Sequence, residues 1–166
     1  MYFNIIDKTK LMKKYIKLFV LVLFIALIVL QFIKPNTDNP IEDNSKFIKS
    51  NLQIPDNVYN QLEKSCFDCH SYRTKWPWYS KISPIVYLLN KDVQGGRKHL
   101  NFSTWGDYNK AKMIDKLEGI VKEVKEGGMP LPIYLPLHPD AKMSESEKKA
   151  IVDWAQTTKD NLSANK

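Results

Sequence analysis

Apolar residues recur at three- and four-residue intervals along residues 52–158, the spacing of one face of an α-helix. No segment alternates apolar and polar positions as a half-buried β-strand does. Four helices are expected. Their apolar positions are, in chain order, Val58, Leu62 and Cys66; Ile85, Val86, Leu88, Leu89 and Val93; Met113, Ile114, Leu117, Ile120, Val121 and Val124; and Ile151, Trp154 and Ala155. The pattern predicts an all-α body.

Local signals place the ends of these helices. Pro55 suits a first helical turn, and Ser83-Pro84 is an N-cap followed by an N1 proline. Gly95-Gly96 and Gly127-Gly128 are expected to end the second and third helices. Residues 144–147 (SESE) form a capping box that opens the fourth.

The segment between the third and fourth helices, residues 129–139 (MPLPIYLPLHP), contains four prolines. Proline fixes the backbone and removes hydrogen-bond donors, so this segment is neither helix nor central strand. We expect a stiff, extended, apolar loop, which is suited to form the wall of a ligand site.

A continuous apolar run covers residues 18–33 and is broken only by Gln31. With Tyr15, Ile16 and a snorkelling Lys17, its length as a helix approaches the ~30 Å of a hydrocarbon core. The run could be a cleaved signal peptide, but no small-residue cleavage pattern follows it, which favours a permanent anchor. Lysines precede the run and acidic residues follow it, so the N-terminus is expected in the cytoplasm and the body in the periplasm.

This reading divides the chain into four parts. Residues 1–34 form the basic segment and transmembrane anchor, and residues 35–51, rich in Asn, Asp, Ser and Pro, form a flexible linker. Residues 52–158 form the folded domain, and residues 159–166 a disordered tail.

The net charge of +7 is concentrated in the leader. Residues 1–34 hold six lysines and one aspartate, whereas the rest of the chain holds 19 basic and 17 acidic side chains. A basic leader on a balanced body indicates a membrane protein and argues against nucleic-acid binding.

Both cysteines lie in one short motif, Cys66-Phe67-Asp68-Cys69-His70. On a helix Cys66 and Cys69 face the same way, and His70 lies one turn beyond Cys66. Two thiols so placed can add across the two vinyl groups of one haem while the imidazole coordinates iron. The motif therefore predicts a covalently bound haem c.

Three other readings of the two cysteines fit less well. A thioredoxin-type motif follows a strand in a βαβ unit, and no strand is predicted before Cys66. A zinc site needs two further ligands, and the free histidines, His99 and His138, have unsuitable spacing. A plain disulfide between cysteines three apart on a helix is the weakest alternative.

The sixth iron ligand is less constrained by the sequence. The candidates are Met113, Met129, Met143, His99 and His138. Met129 heads the proline loop after two glycines that allow close backbone approach, so we expect Met129 to be the ligand. Met113 belongs to an apolar stripe and fits the core, and Met143 precedes the Ser144 cap and fits a staple that packs on its own helix. His99 has basic neighbours typical of a solvated side chain, and His138 could hold a buried polar contact. An open sixth site is the remaining alternative.

Aromatic and basic residues follow the haem motif. Trp76, Trp78 and Tyr79 can line the porphyrin or donate to a propionate, as well as pack in the core. Arg73, Lys75 and Arg97 are candidate propionate partners, although each also fits an ordinary solvated charge.

Four strings in one order, CFDCHSYRTKWPWY, GRKHLNFS, GGMPLP and the C-terminal helix, resemble the small bacterial haem-binding domain family over about residues 45–156. Gly128 departs from that pattern, in which an acidic residue is commoner. The resemblance implies a membrane segment and a single Cys-x-x-Cys-His. A looser similarity to class I cytochromes c implies a haem-motif helix crossing a C-terminal helix, with Met129 in the loop between them.

We therefore expect a membrane-anchored c-type cytochrome that exchanges single electrons with redox partner proteins of the respiratory or periplasmic chain. His and Met ligation suits this task, because both ligands stay bound in both iron oxidation states. A haem sensor or gas-binding module with a displaceable sixth ligand is the alternative. Enzymatic peroxidase activity is not expected, because no catalytic distal histidine is evident.

Overall fold

The structure is a computed structural model that describes residues 3–164. Every regular element in that range is helical, as the sequence predicted. The α-helices are α1 (Phe3–Phe32), α2 (Ile48–Asn51), α3 (Asp56–Ser65), α4 (Phe67–His70), α5 (Ile85–His99), α6 (Lys110–Glu126) and α7 (Glu145–Ala164). Short 3-10 helices cover Trp78–Lys81, Phe102–Asp107, Leu135–Leu137 and Pro139–Ala141.

The chain forms two compact units. The first contains the residues up to Thr37 together with Pro77–Lys91, and the second contains Asp38–Trp76 and the residues from Asp92 onwards. Helix α1 dominates the first unit. Its stretch Lys8–Phe32 is long and apolar enough to cross a membrane, and its side chains are exposed rather than packed in a core.

The core of the second unit lies where α7 packs on both α3 and α6. The expected stripes supply it: Val58, Leu62, Leu117, Ile120, Val121, Val124, Ile151, Trp154 and Ala155 are all buried. Helix α3, which ends just before Cys66, thus packs against the C-terminal helix α7.

The predicted caps of α6 and α7 are confirmed. Helix α6 ends at Gly127, whose φ of 73° is the left-handed conformation that glycine adopts without steric cost. At the start of α7 the Ser144 backbone N–H donates to Glu147 Oε2 over 2.7 Å. The Glu147 N–H returns a bond to Ser144 Oγ over 3.3 Å, which completes the capping box.

Residues 38–51 differ from the flexible linker that the sequence predicted. Phe47 and Ile48 are buried in the core of the second unit, and Ile48 begins α2. Glu42 forms an ion pair with Arg73 and accepts a hydrogen bond from Ser103 Oγ. We call residues 38–51 the strap. Asn39, Glu42 and Lys46 of the strap have partners far along the chain, which local composition does not reveal.

Two helices, α5 and α7, end later in the structure than the sequence predicted. Helix α5 continues through Gly95-Gly96 to His99 instead of ending at the glycines. The predicted disordered tail is helical as far as Ala164, because Leu162 extends the apolar face of α7 against the core. Residues 165 and 166 lie outside the described residues.

Candidate haem site

The haem motif consists of Cys66, which follows α3, and the single turn of α4. Cys66 interrupts the helix with φ −128°, and its carbonyl oxygen accepts from the N–H groups of Cys69 (3.2 Å) and His70 (2.9 Å). Phe67 is 1% exposed and makes edge contacts with Phe47 and Tyr59. This anchor fixes the turn that contains both cysteines and His70, whereas the sequence predicted a helix that continues through Cys66 into the motif.

The His70 ring is oriented by two carbonyl groups at the end of α5. Its Nδ1 lies 3.1 Å from Gly96 O and 3.0 Å from Leu100 O. Because both partners are acceptors, Nδ1 carries the proton, and in the neutral ring Nε2 keeps its lone pair. Burial lowers the pKa of His70, which favours this neutral form. His70 is therefore prepared to bind a metal through Nε2.

Gly96 allows α5 to come this close to the motif. A Cβ atom at this position would lie 2.5 Å from the carbonyl oxygen of Cys69, a distance that real side chains do not tolerate. At Gly95, by contrast, a Cβ would meet nothing within 4 Å. Of the two glycines, Gly96 has the structural role, and that role is close approach rather than helix termination.

Both cysteines carry free thiols and are half-buried. Burial raises the pKa of Cys66 to about 12, and burial together with the nearby charge of Asp68 raises that of Cys69 to about 11. Thioredoxin-type chemistry requires a lowered thiol pKa, so this environment argues against it. Within residues 3–164 no cluster of three or more His, Cys, Asp or Glu side chains could hold a metal ion, which gives the zinc reading no support.

The proline loop is attached to the haem motif. Tyr134 donates its hydroxyl proton to Asp68 Oδ2 over 2.8 Å, and Asp68 is the residue just before Cys69. The other carboxylate oxygen, Oδ1, accepts from the Lys75 N–H over 2.8 Å. Burial, followed by the charge of Asp68, raises the pKa of Tyr134, so the phenol stays protonated and remains a donor. Residues 129–139 thus contact the motif, but they form turns and the 3-10 helix Leu135–Leu137 in place of the extended loop that the sequence predicted.

The sixth-ligand candidates have different surroundings. Met143 is 6% exposed within the hydrophobic core, and Met113 packs against that core, as expected for structural side chains. His99 is exposed. His138 stacks on Tyr134 at 3.8 Å between ring centroids and its Nδ1 lies 3.1 Å from Tyr134 O. Met129 is half-buried at the head of the attached loop, and its role as iron ligand stays a prediction.

The three predicted propionate partners differ in the groups that they already contact. The guanidinium of Arg73 is already paired with Glu42 and lies 3.6 Å from the Phe47 ring centroid, so its role belongs to the strap. Arg97 instead donates to three neutral oxygens, Ser71 O (2.8 Å), Asn39 Oδ1 (2.7 Å) and Thr74 Oγ1 (2.9 Å). Its positive charge can therefore serve an added anion. Lys75 is exposed and 3.6 Å from Glu63.

The three aromatic candidates belong to different units of the structure. Trp76 is half-buried, and its buried indole N–H has no hydrogen-bond partner among the described residues. An orphaned buried donor is costly and is expected to meet an acceptor supplied from outside the chain. Trp78 and Tyr79 belong to the first unit, where Trp78 is 74% exposed and Tyr79 is buried.

Sequence reasoning missed the residues that support the motif rather than form it. The sequence predicted a helix end at Gly96. It gave no sign of a role at the site for four further residues, Leu100, Asp68, Tyr134 and Glu42. Gly96 and Leu100 act through backbone atoms, and only the repeated glycine in residues 94–100 (QGGRKHL) gave a local signal. The other three act through partners 31 to 66 residues away.

These residues fit a haem. His70 has a free Nε2 that suits the iron, and the thiols of Cys66 and Cys69 suit the two vinyl groups. Arg97, whose partners are neutral, and the unpaired indole N–H of Trp76 suit the propionates. The fold and site thus define a small helical haem-binding protein. Residues 25–157 match the model of the haem-binding domain family, and the chain belongs to that family. Searches of curated proteins and of solved structures gave no significant match, so the likeness to class I cytochromes c stays a prediction.

Proposed function

We propose that the protein is a membrane-anchored c-type cytochrome with one covalent haem, which transfers single electrons at the periplasmic face of the cytoplasmic membrane and is not an enzyme. One observation carries this proposal more than any other. His70 is held by Gly96 O and Leu100 O in the tautomer that binds iron, one residue from Cys69. Haem supplies reversible one-electron chemistry when bound, and the protein tunes it through the axial ligands and burial.

Covalent attachment rests on the cysteines. Each thiol, Cys66 and Cys69, would add to one vinyl group, with a carbon–sulfur bond formed and the thiol hydrogen transferred to the vinyl carbon. The burial that raises both thiol pKa values suits neutral thioethers, which carry no charge to desolvate. Arg97 and the Trp76 N–H would neutralise and bind the propionates.

Met129 would supply the second protein ligand to the iron. An iron–thioether bond is weak, so it persists only where the protein holds the sulfur in place. The prolines of residues 129–139 stiffen the loop, and the Tyr134–Asp68 hydrogen bond attaches it to the haem motif. With both ligands retained in both oxidation states, little reorganises during electron transfer.

Membrane anchoring is supported by the length and exposure of Lys8–Phe32 and by the lysines that precede the apolar run. The haem domain would then lie in an oxidising compartment, where thioether formation also protects the thiols.

Spectra of the ferrous protein with and without carbon monoxide test this function. The wild-type protein should bind carbon monoxide poorly, and the ferric form should show the weak near-infrared band of methionine-ligated low-spin haem. Met129→Ala should abolish the band, lower the reduction potential and allow carbon monoxide to bind. His99→Ala should change none of these three properties. Avid carbon monoxide binding by the wild type would instead support a gas-binding sensor.

A further inference from the structure

The first unit contains an apolar surface next to the end of α1. Within this unit Trp78 is 74% exposed and Leu88 is 61% exposed, and Ile82 and Ile85 are about 40% exposed. Ile85 and Leu88 are three residues apart on α5 and share one face. Trp78 is the first residue of the 3-10 helix Trp78–Lys81, and Ile82 follows that helix. We call residues 78–88 the collar.

The collar is hydrogen-bonded to the last turn of α1 and to the two residues that follow α1. The Gln31 side chain pairs with the Ser83 backbone in both directions, donating to Ser83 O over 3.0 Å and accepting from Ser83 N over 3.1 Å. The Lys34 ammonium donates to Lys81 O over 2.7 Å, and the Tyr87 hydroxyl donates to Ile33 O. Gln31 is the polar residue that interrupts the apolar run, and these bonds account for its presence.

These contacts fix the depth of the collar in a membrane. Gln31 to Lys34 is where the apolar stretch of α1 ends, so it lies at the boundary between hydrocarbon and headgroups if α1 spans the bilayer. A segment bonded to that turn lies at the same boundary. Tryptophan is enriched there, and lysine side chains extend from it towards lipid phosphates. Trp78, Lys34 and Lys81 fit this distribution.

We propose that the collar is a second membrane contact, in which Trp78, Ile82, Ile85 and Leu88 insert among the headgroups of the bilayer that α1 crosses. The occupant of this apolar surface is therefore lipid, because the surface is continuous with the transmembrane helix through four hydrogen bonds. The inference rests on the proposed membrane anchoring. It assigns to Trp78 a role at the membrane in place of the haem contact expected from its position after the motif.

The test uses the full-length holoprotein in vesicles of phosphatidylethanolamine and phosphatidylglycerol. The vesicles contain a phospholipid with an aryl diazirine close to its headgroup, and labelled residues are mapped by mass spectrometry after illumination. Adducts are expected on residues 78–88 as well as at the end of α1. The Trp78→Ser/Leu88→Ser variant should lower the collar adducts by about tenfold, because burial of one large apolar side chain corresponds to at least that factor.

Ile133→Ser is the matched control, since Ile133 is 80% exposed and apolar but belongs to the second unit. It should leave the collar adducts unchanged. The haem absorption spectrum of each variant reports whether the domain is intact. Labelling confined to α1 would overturn the inference and leave anchoring intact. Labelling of the collar without α1 would support the lipid contact and contradict the transmembrane helix, and labelling of neither would overturn both.

Discussion

His70 depends on a neighbour that has no side chain. Its Nδ1 is held by the carbonyl groups of Gly96, in the last turn of α5, and of Leu100, the residue that follows α5. Helix α5 reaches the motif only because Gly96 leaves room for Cys69 O. Metal-bound histidines are commonly oriented by such bonds, which fix the ring and the tautomer. The imidazole is thus positioned by helix packing before any cofactor arrives.

The two adjacent glycines give a direct test of this role. Gly96→Ala should lower the free energy of unfolding of the holoprotein by about 1–3 kcal/mol, because the new Cβ would force the helix away from the motif. Gly95→Ala should raise it by roughly 0.5–1 kcal/mol, since its Cβ enters open space in a helix interior. Chemical denaturation followed by absorbance and circular dichroism measures both.

The contrast between the two variants matters more than either value. If both alanines had the same effect on stability and on the haem spectrum, the close approach of α5 to His70 would not be what Gly96 provides.

The proline loop, residues 129–139, is an element without regular hydrogen bonding over most of its length, so its position depends on side-chain contacts. Tyr134→Phe removes the hydrogen bond to Asp68 while keeping the ring that stacks on His138. We expect a loss of about 1 kcal/mol in stability and a measurable increase in carbon monoxide binding, because the loop that carries Met129 is freed.

Tyr108→Phe is the control for that change. It removes a hydroxyl that accepts a hydrogen bond from the Asn101 N–H over 2.9 Å, so it should cost a similar amount of stability. Carbon monoxide binding should not change in this variant. Equal carbon monoxide affinity in wild type and Tyr134→Phe would show that the Tyr134 bond does not hold the sixth ligand.

Elements differed in how far the sequence could predict them. Helices α6 and α7 follow from local information alone, since their apolar stripes, the capping box at Ser144 and the Gly127 terminus all lie within the segments they define. The predicted end of α5 was wrong, because in the sequence a glycine that allows close packing cannot be told from a glycine that ends a helix. The haem motif could be predicted because Cys66, Cys69 and His70 lie within five consecutive positions. Tyr134 could not, because it is 66 residues from Asp68.

The strap shows the same limit for a longer segment. Residues 38–46 are polar and lack periodicity, and their order comes from partners elsewhere, such as Arg73 and Ser103 for Glu42. Only Phe47 and Ile48, two apolar residues before Lys49, gave a local indication that the domain begins before Leu52.

At the scale of the whole molecule, the boundary of the haem domain can be tested by shortening the chain. A soluble chain of residues 38–164 retains the strap and should bind haem and unfold cooperatively. A chain of residues 52–164 loses Phe47 and Ile48, whose individual truncation to alanine would cost roughly 2–5 kcal/mol each. That loss is a large part of the roughly 5–15 kcal/mol that stabilises a typical domain.

The shorter chain should therefore fail to accumulate as folded holoprotein, as judged by its haem absorbance and thermal unfolding. Equal stability of the two chains would mean that the strap contributes nothing and that the domain starts at Leu52.

The covalent attachment of one haem through Cys66 and Cys69 is the central claim for the molecule. Intact-mass measurement of the denatured protein, produced in a host that matures c-type cytochromes, tests it most directly. The polypeptide should carry the added mass of one haem, and the Cys66→Ala/Cys69→Ala variant should show the mass of the polypeptide alone. A wild-type polypeptide that releases its haem on denaturation would contradict the account.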